Sequence, residues 1–176
     1  MLSIILHITL FVSLTHTHIT ISDVDTEILL AHNLLKQSLK FWLPDAPIVR
    51  EGKVKDYVWD NNLAINAYQW AQQCKNNRSS PEDRKDKRHR IINQNVAISG
   101  DILDAVMVWA VESANYNVYT GECKEVGKCE NYRNLLLPGT VYLGCGFHWC
   151  PDLPTTGKNL VVCNYSPEES NSNRSQ

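Results

Sequence analysis

Apolar residues recur every three to four positions in three segments of the chain, which predicts three amphipathic helices. The first helix begins at Ser22 or Asp23, either of which can cap it, and runs to about residue 40. Asp60 caps the second helix, and the third runs from residue 102 to about 115. The predicted buried stripes are, in chain order, Ile28, Leu29, His32, Leu35 and Leu39; Leu63, Ala67, Trp70, Ala71 and Cys74; and Ile102, Val106, Trp109 and Ser113.

Three further segments have the composition of β-strands, namely residues 94–99, 140–147 and 159–165. The first of them can begin as early as Ile91, and each of the other two contains a cysteine. Residues 119–132 are predicted to form a loop closed by Cys123 and Cys129, and residues 135–137 a short apolar element. This order of elements predicts an α+β domain in which helices pack on an antiparallel sheet.

The start of the chain carries an apolar run at residues 2–14. A run of roughly 13 residues is too short to span a bilayer but suits the core of a secretory signal peptide. We therefore predict a signal peptide at 1–22, one domain at 23–167 and a disordered polar tail at 168–176. No later stretch reaches the ~18 apolar residues of a membrane span, so we expect a secreted, extracellular protein without a transmembrane segment.

All the cysteines lie in the predicted mature part: Cys74, Cys123, Cys129, Cys145, Cys150 and Cys163. An even number of cysteines in a secreted chain predicts three disulfides, and fifteen pairings are open. Zinc is the competing interpretation. No Cys-x-x-Cys pair or cysteine and histidine cluster at zinc-finger spacing occurs, which argues against a structural zinc site.

The charge of the chain is nearly balanced, with a formal net charge of -2 and a pI near 6.3. It provides no overall attraction for nucleic acid or an anionic membrane. Residues 75–90 nevertheless hold seven basic residues (75, 78, 84, 85, 87, 88 and 90) against three acids (82, 83 and 86). This basic segment is either a solvated loop or a contact for an acidic partner such as a glycosaminoglycan.

The ordered motifs of the chain resemble those of the CAP superfamily, which contains cysteine-rich secretory proteins, antigen 5 and pathogenesis-related class 1 proteins, with venom-allergen-like members. The resemblance covers residues 28–167. It rests on His32-Asn33, Trp59-Asp-Asn-Asn-Leu-Ala64, Trp70-Ala71, Cys74, Gln94-Asn95, Trp109-x-x-Glu112-x-x-x-Tyr116, Gly144-Cys-Gly146 and Cys163-Asn-Tyr-x-Pro167.

The resemblance implies an α-β-α sandwich with a three-stranded antiparallel sheet between helical layers. It also implies the disulfides Cys74–Cys150, Cys123–Cys129 and Cys145–Cys163. Members of the superfamily bind fatty acids between helices or sterols under a loop. The first and third helices here carry more apolar residues than one buried stripe needs, so a fatty acid or sterol is the expected small ligand.

Many CAP domains have a cleft with two histidines and two acids that can hold a metal ion. The matching positions here are Arg78, Gln94, Glu112 and Asn131, so a single carboxylate remains and we predict no metal and no cofactor. We expect Arg78 and Glu112 to form an ion pair. His89 is the alternative ligand that the basic segment can bring to the cleft, whereas His148 is predicted to be a packing or surface residue.

We predict no catalytic residues, because the cysteines are assigned to disulfides and neither Gly-x-Ser-x-Gly nor His-Glu-x-x-His occurs. The leading hypothesis is an extracellular module that binds a lipid or sterol. The alternatives are a protein ligand or immunomodulator that acts through the basic segment, with an extracellular protein partner, and a metal-dependent hydrolase. The glycosylation candidates are Asn77, Asn164 and Asn173.

Overall fold

The computed structural model describes residues 22–168. The predicted signal peptide, apart from its last residue, and residues 169–176 of the predicted tail lie outside the described residues. The elements, in chain order, are α1 (Asp23–Trp42), α2 (Pro47–Arg50), β1 (Val58–Trp59), α3 (Asn61–Ala71), α4 (Pro81–Arg84), β2 (Asn93–Ser99), α5 (Ile102–Val111), a 3-10 helix (Glu112–Asn115), β3 (Tyr116–Asn117), β4 (Glu122–Cys123), α6 (Glu130–Leu136), β5 (Thr140–Trp149) and β6 (Asn159–Pro167).

The central sheet has the strand order β1-β5-β6-β2. Strand β6 pairs antiparallel with β5 on one side and with β2 on the other, so the predicted three-stranded antiparallel sheet is confirmed. Strand β1, which we did not predict, adds a two-residue parallel pairing of Val58 with Tyr142 and of Trp59 with Leu143. The sheet is therefore mixed at that edge.

The predicted helices form, and side chains cap each of them. The hydroxyl of Ser22 accepts a hydrogen bond from the Asp25 backbone N–H, and the Asp60 carboxylate accepts two from the first turn of α3. One prediction about the third helix is wrong, because Ser113 is exposed and not buried. The α-helix ends at Val111 and continues as a 3-10 helix, whose three residues per turn rotate Ser113 away from the core.

Apolar side chains cover both faces of the sheet. Along β6, Val161, Cys163 and Tyr165 face the larger core formed with α1, α5 and α6, whereas Leu160 and Val162 face α3. The α-β-α sandwich is confirmed. Because side chains on both faces of β6 are buried, the sequence of this strand is a nearly continuous apolar run. Within residues 22–168, no helix combines the length and the apolarity needed to cross a membrane.

The ends of the domain are held by short polar contacts. Glu168, which we assigned to the tail, donates its backbone N–H to the Gly139 carbonyl, and its carboxylate lies 2.9 Å from the Lys55 ammonium. Glu168 therefore contacts the rest of the domain at two points.

The disulfides Cys74–Cys150, Cys123–Cys129 and Cys145–Cys163 form as the resemblance implied. Cys74 follows the end of α3 with a φ of 54°, a left-handed conformation that glycine adopts more easily. Its sulfur reaches Cys150 at the end of β5. The disulfide therefore joins the end of α3 to the central sheet.

His32 on α1 is buried in the larger core. Its Nδ1 lies 2.8 Å from the Ile28 carbonyl oxygen and its Nε2 lies 3.0 Å from the Tyr165 hydroxyl. Burial lowers the pKa of His32 to about 4, and the hydrogen bond to Ile28 only partly opposes that shift. The folded protein therefore holds a neutral imidazole that the unfolded chain would protonate near its ordinary pKa of 6.5.

We expect His32 to make the stability fall with acidity between about pH 6.5 and pH 4. In that window the unfolded chain binds a proton that the folded protein does not, and the loss approaches about 3 kcal/mol. Urea unfolding across this range tests the expectation. The His32→Gln variant should show a flatter pH dependence, and equal slopes for both proteins would contradict it.

Candidate functional site: a polar cleft and an apolar groove

The fold brings three of the four cleft positions into one chain of hydrogen bonds. Arg78 donates from Nη2 to the Asn131 side-chain oxygen at 2.7 Å, and Asn131 donates from Nδ2 to Glu112 at 2.6 Å. Gln94 is buried beside them, where its side-chain oxygen accepts from the Ser79 backbone N–H at 2.7 Å and its amide nitrogen donates to Asn164. The side chains at all four cleft positions are thus engaged in hydrogen bonds within the protein.

The predicted ion pair between Arg78 and Glu112 is wrong. The guanidinium lies 2.6 Å from the carboxylate of Glu130, and this contact lowers the pKa of Glu130. Asn131 lies between Arg78 and Glu112 and bridges them. Sequence reasoning missed Glu130, although its place directly before the cleft position Asn131 was an available signal.

Glu112 has a structural role that its sequence position does not reveal. One of its carboxylate oxygens accepts hydrogen bonds from the backbone N–H groups of Asn131 at 2.8 Å and Tyr132 at 3.2 Å. These groups belong to the first turn of α6, whose own cap residue, Cys129, makes no side-chain cap. Glu112 therefore caps α6 from another element and satisfies donors that a helix start leaves unpaired.

The cleft is poorly suited to a metal ion. The positive guanidinium of Arg78 contacts Glu130 directly and Glu112 through Asn131, so it supplies the charge that a cation would bring and repels one. Elsewhere in residues 22–168, one group of three potential ligands comes together, consisting of His32, Cys145 and Cys163. Its two sulfurs are joined in a disulfide and offer no thiolate.

His89 does not reach the cleft. It is buried, with Nε2 lying 3.3 Å from a carboxylate oxygen of Asp60 and Nδ1 lying 3.0 Å from the Ser166 hydroxyl. Burial acts to raise the pKa of Asp60, but the hydrogen bond from the Leu63 backbone and the nearby His89 and Arg88 outweigh it, and the pKa is lowered.

The contacts of His89 join an acid, an imidazole and a hydroxyl, which is the order of a catalytic triad. Ser166 is only 1% exposed, and its hydroxyl donates to the Ile91 carbonyl. A substrate has no approach to this oxygen. The arrangement therefore ties the basic segment to α3 and β6.

Several cations of the basic segment are engaged within the protein. Arg88 lies 3.1 Å from Asp60, and Lys85 lies 3.5 Å from Glu82. Arg84 donates to the backbone carbonyls of Ile92 and Ser79. Much of the charge that the sequence displays in this segment therefore stabilises the loop itself.

A groove of about 460 Å³ lies between α1 and the end of α5. Its lining is mainly apolar, with hydroxyl groups among the apolar side chains: Leu35, Ser38, Leu39, Trp42, Leu43, Ala110, Ser113, Tyr116, Val118 and Tyr132. Ser38 and Ser113 are exposed and therefore lie at its mouth. We call it the α1–α5 groove.

Tyr116 and Tyr132 are two aromatic residues in the lining of the α1–α5 groove. Their rings pack edge to face with centroids 5.5 Å apart. Burial raises the pKa of both hydroxyls, and the nearby Arg133 guanidinium opposes the shift at Tyr116. Both phenols are therefore protonated donors at neutral pH, with a cation close to one of them.

The apolar residues that suggested a ligand between the first and third helices divide into three groups. Leu35 and Leu39 line the α1–α5 groove, whereas Ile28 and Val106 are in the core. On the outer surface, Leu34 is 51% exposed and Val111 is 70% exposed. Sequence reasoning missed Ala110 and Val118 as lining residues. Ala110 has a small side chain, and Val118 is in a loop, so neither belonged to an apolar stripe predicted from helical periodicity.

A larger groove of about 670 Å³ follows the edge of β5 beyond Leu143, where β1 ends. Its apolar lining includes Trp59, Ile65, Tyr68 and Trp149. His148 lines it as well, and its ring lies 6.3 Å from that of Tyr68, which agrees with the packing role that we predicted. Ile65 and Trp149 in this β5-edge groove are exposed to solvent.

A model of the cysteine-rich secretory protein family, named CAP, matches residues 31–165. The chain is 29% identical over 155 residues to cysteine-rich secretory protein 2 of Cavia porcellus, a match that covers 86% of this chain and 59% of that protein. It is 33% identical over 116 residues to peptidase inhibitor 16 of Bos taurus, which covers 62% of this chain and 24% of that protein.

Among solved structures, venom allergen-like protein 4 of Schistosoma mansoni superposes with a TM-score of 0.70 at 29% identity. The match covers 85% of this chain and 92% of that one. The chain therefore belongs to the cysteine-rich secretory protein family, and it has the fold of the venom allergen-like proteins. It spans less than two thirds of the length of the curated relatives that it matches.

Proposed function

We propose that this protein is a secreted, non-enzymatic binding module that holds a fatty acid in the α1–α5 groove. The observation that supports the proposal is the lining of this groove, which is mainly apolar and includes two serines and two tyrosines. Its volume lies in the range of about 300–1,000 Å³ that small-molecule sites occupy. Secretion agrees with the three disulfides, which persist in oxidising compartments.

The two ends of a fatty acid have matching partners in this groove. The acyl chain would lie along Leu35, Leu39 and Trp42, which release water when an apolar chain covers them. The carboxylate would lie at Tyr116 and Tyr132, whose hydroxyls can donate to it while Arg133 supplies the opposite charge.

A non-enzymatic role is supported by the state of the groups that could react. The buried Ser166 is closed to substrate, and the sulfurs of all three disulfides are unavailable as nucleophiles. A metal-dependent hydrolase would need a metal ion in the cleft. The Arg78 guanidinium contacts the carboxylate of Glu130 at that place.

A role as a protein ligand that acts through the basic segment has weaker support. Arg78, Lys85 and Arg88 each have an acidic partner inside the chain, so less of their charge is available to attract a partner. We therefore place the fatty acid first and the protein partner second.

Titration with labelled palmitate tests the proposal. The Ser113→Trp variant fills the mouth of the α1–α5 groove from an exposed position, so we expect its affinity for palmitate to fall by about tenfold or more. The matched control is Ile65→Trp, which enlarges an exposed side chain in the β5-edge groove and should bind palmitate normally.

Three outcomes would contradict the assignment. If the unaltered protein shows no saturable palmitate binding, it is not a fatty-acid carrier. If Ile65→Trp loses binding and Ser113→Trp keeps it, the ligand lies in the β5-edge groove. If cholesterol saturates the protein and palmitate does not, the ligand is a sterol.

A further inference from the structure

A third cavity of about 350 Å³ lies on the outer side of α3, away from both apolar grooves. We call it the α3 cavity. Its lining is polar, and the side chains that the argument uses are Asn66, Gln69, Trp70, Gln73, Lys75 and Asp83. No part of the proposed fatty-acid site contributes to it.

Asn66 and Gln69 lie on the same face of α3, because they are three positions apart, and Gln73 follows in the turn beyond the end of the helix at Ala71. Within the described part of the chain, the Gln69 amide makes no side-chain hydrogen bond. Gln73 uses only its oxygen, which accepts from the Lys75 ammonium at 3.1 Å, so its amide N–H groups remain available. The Asn66 amide is engaged by Asn164 and by the Asp83 carbonyl, so Gln69 and Gln73 provide the available amide donors and acceptors of the cavity.

Asp83 and Lys75 place one negative and one positive charge at the cavity, so its lining carries no net charge. The Asp83 carboxylate accepts from the Ser80 hydroxyl through one oxygen, at 2.8 Å, and its other oxygen can accept from a ligand. A neutral ligand with several hydroxyl groups matches this set better than a phosphate or an apolar chain does.

Trp70 supplies an aromatic surface between these polar groups. Its indole N–H donates to the backbone carbonyl of Asn77 at 2.8 Å, and the Lys75 ammonium lies 5.6 Å from its ring centroid. Asn77 is exposed and begins the sequence Asn77-Arg-Ser79, an acceptor site for N-linked glycans. An attachment site for sugar therefore lies directly beside the polar cavity.

We propose that the α3 cavity binds a neutral pyranose sugar of the N-acetylhexosamine class. The hydroxyl and acetamido groups would bond to Gln69, Gln73 and Asp83, and the apolar C–H face of the sugar would pack on Trp70. The sugar has two possible sources with the same chemistry. It is either the first residue of a glycan on Asn77 of the same chain or part of a separate glycoconjugate.

The experiment compares the protein secreted from eukaryotic cells with an Asn77→Gln variant produced in the same way. Mass measurement gives the occupancy of Asn77, and NMR follows the side-chain amides of Gln69 and Gln73 during titration with N-acetylglucosamine and with chitobiose. We expect the variant to bind the sugar, with an affinity reduced by about fivefold on adding Gln69→Ala. Adding Gln72→Ala, an exposed glutamine outside the cavity, is the matched control and should leave the affinity unchanged.

The state of the secreted protein distinguishes the two sources. If Asn77 carries a glycan and added sugar then has no effect on the Gln69 and Gln73 signals, the chain's own glycan occupies the cavity. If the secreted protein binds added sugar as the variant does, the source is separate. The proposal is overturned if sugar leaves the amides of the Asn77→Gln variant unshifted, or if Gln69→Ala and Gln72→Ala bind equally.

Discussion

Replacing Cys74 and Cys150 together by alanine is expected to lower the free energy of unfolding by about 4 kcal/mol. The two cysteines are separated by 76 residues, the longest loop that a disulfide closes in this fold. Without the bond, the unfolded chain gains the conformational freedom of that loop. Urea unfolding of the purified variant measures the loss.

The matched control is the double alanine variant of Cys123 and Cys129, which are only six residues apart. The same loop-closure argument gives a smaller loss of about 2 kcal/mol for this pair. Equal losses for the two variants, or a larger one for the short loop, would show that native contacts and not loop length decide the stabilisation.

Replacing Gly144 by alanine is expected to destabilise the fold by about 3 kcal/mol or more. A Cβ at this position would lie 2.2 Å from the Ala64 backbone nitrogen and 2.5 Å from the Asp60 backbone oxygen. These atoms belong to the backbone of α3 and its cap, so relief requires α3 to move away from the sheet. Thermal or urea unfolding measures the effect.

Gly100→Ala provides the control for this substitution, because a Cβ there meets no atom within 4 Å. We expect its stability to stay close to that of the unaltered protein. If Gly144→Ala were as stable as Gly100→Ala, the close approach of α3 to β5 would not be a requirement of the fold. Gly146 has a similar restriction, with a Cβ position 2.4 Å from the Tyr68 backbone nitrogen.

The elements that could be predicted are those whose caps and apolar periodicity depend on residues close together in the sequence. Helix α3 is a clear case, because Asp60 is a good cap and the apolar stripe through Leu63, Ala67 and Ala71 is regular. The pairing of the cysteines is different. The residues alone left fifteen pairings open, and the resemblance to a known family selected the one that the structure has.

Lys36 shows what local pattern could not predict. It is on α1 and is buried, donating to the backbone carbonyls of Lys55 and Thr140, with its ammonium 3.3 Å from the centroid of the Tyr57 ring. Burial lowers the pKa of Lys36 to about 7, while Asp56 opposes the shift. A lysine in a helix is ordinarily exposed, and its acceptors here come from segments that only the fold brings close.

In the candidate site, too, some features could be predicted and others could not. The positions Arg78, Glu112 and Asn131 could be located through the family resemblance, but the resemblance did not show which acid, Glu112 or Glu130, contacts Arg78. In the structure Glu112 contacts the first turn of α6, and Glu130 contacts Arg78.

By itself the sequence determined the helices α1, α3 and α5 and the three long strands, because periodicity and caps are local properties. The resemblance to the CAP superfamily located the cleft positions, where the sequence has no histidine. The tertiary structure alone decided which acid pairs with Arg78, that His89 is buried against Asp60, and where α1 and α5 leave a groove. Those outcomes depend on distances between residues far apart in the chain, and such distances arise only when the layers pack together.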